Sequence, residues 1–232
     1  STITVTPIYT NNGVSCTGST KSFTLTVNPK ATIDNKTVST CSGTGFTLTP
    51  SNGGGDIVPT GTTYAWSALP VVTGGLTGGA TASLQSSING TLTNPTNTAQ
   101  TATYTVTPTS GSCTGPTFTV VATINPRPVV PNQTATICSG EAFTISPTNS
   151  PSATIIPSGT TYTWTVAPNA NVTGQSDQGV GQSNISQTLT NTTSGVQTVT
   201  YTVTPTSGAA GNCVGSTFTV TVTVNPIATI AN

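Results

Sequence analysis

The chain has 232 residues, four basic and four acidic side chains, and a formal net charge of zero. So few cations give no patch that could neutralise phosphates, which argues against nucleic-acid binding, and no apolar run approaches the ~20 residues of a membrane span. Histidine is absent, which removes the usual general base, the Ser-His-Asp arrangement and most zinc sites. We therefore predict a protein without enzymatic activity, cofactor or metal.

The first strands are predicted in residues 1–29, which we interpret as the C-terminal part of a repeat. Residues 2–7 read TITVTP, and residues 23–27 alternate between apolar side chains and threonine. A period of two predicts half-buried β-strands. Pro29 ends the segment because proline has no N–H to donate to a sheet.

The first complete repeat is assigned to residues 30–126. A turn at Cys41 precedes a strand that begins at Phe46, and residues 67–87 form a Gly- and Ser-rich loop without a clear period. The last two predicted strands contain the sequences TYTV and FTVVATI. Their alternation again indicates strands with one face toward a core.

The second complete repeat, residues 127–226, matches the first element by element. Cys138, for example, lies 138 − 41 = 97 residues after Cys41. Residues 227–232 are interpreted as the start of a further repeat. Because the chain also begins within a repeat and has no methionine, we expect it to be a segment of a longer protein.

A period near 100 residues with about seven short strands predicts an all-β fold, tandem immunoglobulin-like β-sandwiches arranged head to tail. The outward strand positions are mostly threonine, whose branched Cβ suits a pleated surface. Each repeat has one Trp, which is expected in the core, although an exposed Trp could instead be a platform for a sugar. The predicted core residues are Trp66, Trp164, Tyr104, Tyr201, Phe118 and Phe218.

Three sequence patterns occur in the same order in both complete repeats. They are C-S-G-x-x-F-T, then G-T-T-Y-x-W, then T-Y-T-V-T-P-T-S-G followed by T-F-T-V and N-P. These patterns resemble the PKD-like repeats of large secreted proteins of gliding and surface-colonising Bacteroidota. The resemblance covers essentially the whole chain, and it implies export, by type IX secretion, and display on the cell surface.

Five cysteines in a threonine-rich chain indicate an oxidising compartment outside the cytoplasm. Pairing within the repeats would join Cys41 to Cys113 and Cys138 to Cys213. In immunoglobulin topology these positions lie at opposite ends of a sandwich, whereas bridged Cα atoms lie within about 7 Å. In a head-to-tail array Cys41 could instead reach Cys213, and Cys16, Cys113 and Cys138 would then pair outside this segment. Both pairings remain open.

The acidic residues are scattered along the sequence, and none has the spacing of a calcium-binding cluster. We interpret them as solvated carboxylates, although Asp34 and Asp56 could meet through the fold. The two repeats share no acidic position, which excludes a catalytic dyad built into the repeat unit. The four residues are Asp34, Asp56, Glu141 and Asp177.

These observations favour a structural role, the stalk of an exported filament or adhesin, with neighbouring repeats or other copies in a filament as partners. A second hypothesis is a module that binds surface glycans through the loops that differ between the repeats, residues 67–87 and 167–184. A third is a self-assembling extracellular fibre, in which the incomplete repeat 1–29 finds its missing strands in a neighbour.

Overall fold

The computed structural model describes residues 1–67, 71–150, 153–208 and 211–228, which form β-strands joined by turns and loops. The fold is all-β, as predicted, and consists of two sandwiches in tandem that follow an N-terminal ribbon. No helix in these ranges is long and apolar enough to cross a membrane. The predicted start of a further repeat, 227–232, lies outside the described residues from position 229 onward.

The N-terminal ribbon has the architecture of the last two strands of a repeat. Its outer pair sets Ile3 opposite Phe23, and its inner pair forms the hairpin tip. Both side chains are exposed, whereas their counterparts in the complete repeats are buried. The four strands are β1 (Thr2–Val5), β2 (Ile8–Asn11), β3 (Val14–Thr17) and β4 (Lys21–Thr24).

The first sandwich packs a larger sheet, in the order β10-β7-β12-β14-β5, against a smaller sheet, in the order β6-β11-β9. Strand β5 runs parallel to β14, and the other pairings are antiparallel. The strands are β5 (Lys36–Cys41), β6 (Gly45–Leu48), β7 (Thr62–Trp66), β8 (Val71–Val72), β9 (Thr77–Gly78), β10 (Ala82–Gln85), β11 (Ile88–Thr93), β12 (Gln100–Ser110), β13 (Cys113–Thr114) and β14 (Phe118–Asn125).

The second sandwich repeats this arrangement, with a larger sheet in the order β15-β23-β22-β17-β19 and β15 parallel to β23. The pairs β16-β20 and β18-β21 lie opposite it. The strands are β15 (Gln133–Cys138), β16 (Ala142–Ile145), β17 (Thr161–Ala167), β18 (Val172–Thr173), β19 (Gln178–Gln182), β20 (Ile185–Thr188), β21 (Thr190–Asn191), β22 (Gln197–Thr206) and β23 (Phe218–Asn225).

The two cores are built alike because alternate strand residues face inward. Tyr64 meets Phe118 edge to face, with ring centroids 6.3 Å apart, and Tyr162 meets Phe218 at the same distance. Edge-to-face contacts of this kind are favourable arrangements of aromatic rings. The alternation of the last two strands therefore supplies one wall of each core.

Two local predictions differ from the structure. The predicted turn at Cys41 is the end of strand β5, because the parallel ladder with β14 continues to Asn125. The predicted irregular loops contain short edge strands, β8 to β10 in residues 67–87 and β18 and β19 in residues 167–184. Glycines and small polar residues hide these strands from periodicity, because their pairing rests on backbone hydrogen bonds.

Candidate functional site

The candidate site is the junction between the two sandwiches, where a disulfide joins Cys41 of the first repeat to Cys213 of the second. Their Cα atoms are 5.7 Å apart, although the residues are 172 positions apart in the sequence. Cys41 lies opposite Asn125 in the parallel ladder. The half-cystine is therefore at the end of the first sandwich from which the chain continues into the second.

The first half-cystine is held by a buried polar network. The Ser42 N–H donates to the carbonyl of Asn125 at 2.9 Å, and the Asn94 N–H donates to Ser42 Oγ at 2.9 Å. The Asn94 side-chain amide also donates to the carbonyl of Ile124 at 2.9 Å. These bonds tie the turn after Cys41 to the end of the last strand, so the direction of its side chain is fixed by the fold.

The second half-cystine lies in the turn between β22 and β23. Ser207 and Cys213 are joined by two hydrogen bonds of 3.0 Å each. The Ser207 N–H donates to the Cys213 carbonyl, and the Cys213 N–H donates to Ser207 Oγ. Gly215 lies so close to Pro128 that a Cβ there would be 2.3 Å from the proline carbonyl oxygen. The turn therefore lies at the entrance of the second sandwich, where only glycine fits.

The linker adds a further contact between the repeats. Arg127, two residues after the last strand of the first repeat, donates from Nη2 to Thr44 Oγ1 at 3.0 Å. Gly211 of the second repeat lies close to the end of β14, since a Cβ on it would lie 2.8 Å from Asn125 Nδ2. The junction is thus held by a covalent bond, a hydrogen bond from the linker and the close approach of Gly211 to the Asn125 side chain.

The other three cysteines, Cys16, Cys113 and Cys138, are free. Cys113 lies opposite Ser110, in the turn that precedes β14, whereas Cys41 lies opposite Asn125, at the end of β14. The eight-residue strand β14 separates these ends by about 26 Å, far beyond the reach of a disulfide. Of the two pairings considered, the structure contains the one between repeats.

Cys138 occupies the position in the second repeat that Cys41 occupies in the first. It lies opposite Asn225 in a parallel ladder, and the Ser139 N–H donates to the Asn225 carbonyl at 2.9 Å. Its backbone N–H donates a hydrogen bond to Glu141 Oε2 at 3.2 Å. The end of the second sandwich therefore presents an exposed thiol in the frame that holds a half-cystine in the first.

The two Trp side chains lie in the cores and not on the surface. Each is only 5% exposed, and each donates its indole N–H to a backbone carbonyl, Trp66 to Ala80 at 3.0 Å and Trp164 to Ser176 at 3.1 Å. A face available for stacking would have to be open to solvent. The other predicted core residues, Tyr104, Tyr201, Phe118 and Phe218, are at most 3% exposed.

The expectation that all acidic residues are solvated is wrong for Asp56. Its side chain is buried, pairs with Lys36 at 2.7 Å, and accepts a hydrogen bond from the Asp34 N–H at 2.9 Å. The hydrogen bond from Lys36 holds the pKa of this carboxyl below its usual value, against the opposing effect of burial. The loop before β7 folds back beside β5, which the sequence separation concealed.

We expect Asp56→Asn to lower the free energy of unfolding of the first repeat by on the order of 2 kcal/mol at pH 7, because a charged hydrogen bond is lost. A folded-state pKa below the unfolded value of about 3.9 stabilises the fold above that value. This stabilisation is lost as pH falls from about 4 through the folded pKa, so wild type and variant should converge in acid. Urea unfolding followed residue by residue by NMR would measure this.

The second repeat is the internal control for this experiment. Gln133 stands where the first repeat has Lys36, and Thr154 stands where it has Asp56, so the ion pair is missing. The free energy of unfolding of the second repeat should be the same in wild type and Asp56→Asn, at pH 7 and at pH 2. A difference between wild type and variant that persists at pH 2 would contradict the assigned role of the carboxylate.

The paired sheets, the parallel edge strand and the buried Trp of each repeat define a tandem of immunoglobulin-like β-sandwiches. The chain belongs to the PKD-like domain family, whose model matches residues 36–128 and 135–228. No curated protein matches the chain. The boundaries 30–126 and 127–226 that the sequence predicts are close to these ranges and remain a prediction.

Solved structures of other proteins match most of this chain. The EC1-3 segment of mouse clustered PcdhgC3 is 12% identical with a TM-score of 0.33, over 98% of this chain and 77% of that one. The ectodomain of human Desmocollin-1 is 12% identical with a TM-score of 0.30, over 93% and 44%. Mouse Cadherin-23 EC22-24 is 14% identical with a TM-score of 0.27, over 86% and 65%.

Within the described ranges, no three His, Cys, Asp or Glu side chains converge where they could hold a metal ion. Tandem PKD-like domains are consistent with a structural or adhesive module. A disulfide between the repeats indicates an oxidising compartment, because cytosolic thiols are kept reduced.

Proposed function

We propose that this chain is a non-enzymatic structural segment of an exported, cell-surface filament or adhesin. The observation that carries the proposal is the disulfide between Cys41 and Cys213. A disulfide inside a domain stabilises that domain, whereas one across a junction restricts the motion of one domain against the next. The geometry therefore serves the array and not the single repeat.

The surface of the sandwiches fits this role. Strand residues that face outward are mostly threonine, and only 3% of the residues are charged. Such a surface resists changes of pH and ionic strength, because few of its contacts depend on charge. Export and the location on the cell surface follow in this proposal from the disulfide and from the secreted proteins that the repeats resemble.

The finer assignment rests on the same resemblance. We extend the proposal to adhesion or gliding motility and to export by type IX secretion, because the repeats resemble those of the gliding-motility adhesin SprB. Partners are then the neighbouring repeats of the same chain, other copies in a filament, and the surface to which the filament attaches.

Small-angle X-ray scattering of the oxidised chain tests the structural proposal. Two sandwiches held end to end should give a radius of gyration well above the about 17 Å expected of one compact domain of 232 residues. The Cys41→Ser, Cys213→Ser variant should show a broader distribution of distances, because its junction can bend. Compact scattering from the oxidised chain would contradict the extended stalk.

A further inference from the structure

At one core-facing position of the smaller sheet, the first repeat has glycine and the second has a polar side chain. Gly90 pairs with Phe46 in the first repeat, and Gln187 pairs with Phe143 at the same place in the second. The flanking residues on the inner face are Ile and Leu in both repeats and are fully buried. The second repeat therefore has a polar side chain where the first has none.

In the second repeat both the oxygen and the nitrogen of the Gln187 carboxamide are hydrogen-bonded. Its Oε1 accepts from the Tyr201 hydroxyl at 2.8 Å and from the Ser176 N–H at 3.1 Å. Its Nε2 donates to the Ser176 carbonyl at 2.8 Å and to Ser176 Oγ at 2.7 Å. The fold thus forms a receptor for one carboxamide, made of a buried tyrosine and of the backbone and hydroxyl of one loop residue.

In the first repeat an open cleft of about 560 Å³ lies at this place and is lined by Phe46, Ala80 and Gly90, among others. The Tyr104 hydroxyl is buried, belongs to a side chain that is 1% exposed, and has no hydrogen-bond partner among the described residues. A Cβ on Gly90, which lines the cleft, would lie 3.1 Å from this hydroxyl. An atom that enters over Gly90 is therefore within hydrogen-bonding distance of the tyrosine.

The backbone half of the receptor is also in place. Ala80 is the counterpart of Ser176, because each accepts the indole N–H of the Trp in its repeat. The Ala80 N–H makes no hydrogen bond to the residues that the structure describes. The Ala80 carbonyl accepts from Trp66 and has a second lone pair that can accept another hydrogen bond. Burial raises the pKa of the Tyr104 phenol, so the hydroxyl keeps its proton at neutral pH.

We propose that this cleft binds the acetamido group of an N-acetylated amino sugar. The acetamido carbonyl accepts from the Tyr104 hydroxyl and the Ala80 N–H, and the acetamido N–H donates to the Ala80 carbonyl. The methyl group packs against Phe46, one of the aromatic walls of the cleft. These contacts match those that the Gln187 carboxamide makes in the second repeat, except for the bond to Ser176 Oγ, which Ala80 lacks.

The rest of the cleft favours a sugar over the side chain of a peptide. Its volume falls in the range of small-molecule sites and far exceeds that of a carboxamide. The exposed rim carries hydroxyl and amide side chains that can bind sugar hydroxyls. None of the residues that line the cleft is charged. The rim residues are Thr47, Thr81, Asn89 and Thr91.

NMR titration of the full chain with N-acetylglucosamine tests the proposal, with glucose as the matched sugar that lacks the acetamido group. We expect saturable shifts at Gly90 and Ala80 at millimolar concentrations, and no such shifts with glucose. Tyr104→Phe should weaken binding about tenfold, because one hydrogen bond to the carbonyl is lost. The thermal stability of this variant should not fall, since its hydroxyl has no partner in the unliganded fold.

Exchange of the distinguishing residue between the repeats is the sharper control. Gly90→Gln should abolish binding, because its side chain occupies the receptor, and Gln187→Gly should create a second site and a stoichiometry of two. If Gly90→Gln does not fold, Tyr104→Phe still decides the question. Equal shifts with glucose would overturn the proposal, as would binding that survives Gly90→Gln in a folded protein. It would also be overturned if a glutamine-containing peptide bound to the cleft and N-acetylglucosamine did not.

Discussion

The oxidised chain, pulled from its two ends, should extend by about 600 Å less than the reduced chain. The disulfide connects positions 172 residues apart, and a fully extended residue spans about 3.5 Å. Tension enters at the N-terminus, passes through Cys41 into the disulfide and leaves through Cys213. The chain between these residues carries no load while the bond is intact, so unfolding lengthens the molecule only by the segments outside the loop, which include β5 and β23.

Single-molecule force spectroscopy measures this difference directly as contour length. The double variant Cys41→Ser, Cys213→Ser should reach full extension with or without reductant. A matched variant in which Cys113 and Cys138 are replaced by Ser should retain the block, because neither belongs to the bond. Full extension of the oxidised wild type would show that the two repeats are not joined in solution.

The same geometry gives the array its proposed mechanical property. Cys138 stands in the frame of Cys41, at the far end of the second sandwich. A bond from Cys138 to the turn of a following repeat would close a loop that overlaps the loop between Cys41 and Cys213. In the proposed filament, overlapping loops of this kind would limit how far each repeat extends under tension.

Trp66→Ala should lower the free energy of unfolding of the first repeat by about 3–5 kcal/mol, the range for removing a large aromatic side chain from a core. Trp66 is 5% exposed and its indole N–H donates to Ala80. The substitution leaves a cavity and a carbonyl without its donor. Chemical denaturation followed by NMR signals of each repeat would separate the two unfolding transitions.

Two further variants serve as controls for this measurement. Trp66→Phe keeps an aromatic ring and should cost less, because it loses mainly the hydrogen bond and part of the packing. Trp164→Ala should weaken the second repeat to a similar extent, since its environment is the same. Wild-type stability of Trp66→Ala would mean that the indole is not part of the core.

Much of the fold could be predicted because strand periodicity is a local property. The alternation in residues 118–124 predicts which side chains of β14 face the core, and Phe118 is indeed 3% exposed. The short strands β9 and β18 could not be predicted in this way. Their pairing rests on backbone bonds and on glycines such as Gly78, whose φ of 93° suits a close approach.

Less of the candidate sites could be predicted from the sequence. The comparison of the two copies contains the difference between Gly90 and Gln187, yet its meaning depends on Tyr104, which lies on another strand. The ion pair between Lys36 and Asp56 was likewise hidden, because 20 residues and a turn separate its partners. Contacts between distant segments arise from the packing of sheets and not from any local pattern.

The sequence by itself determined the repeat, the strand class and the list of possible cysteine pairs. Each of these depends on local spacing, which a linear chain displays directly. Only the tertiary structure decided between the pairs, because the parallel ladder of β5 and β14 sets Cys41 at the exit of its sandwich and the turn before β23 sets Cys213 at the entrance of the next. A disulfide follows the distance between Cα atoms, and that distance is a property of the folded array.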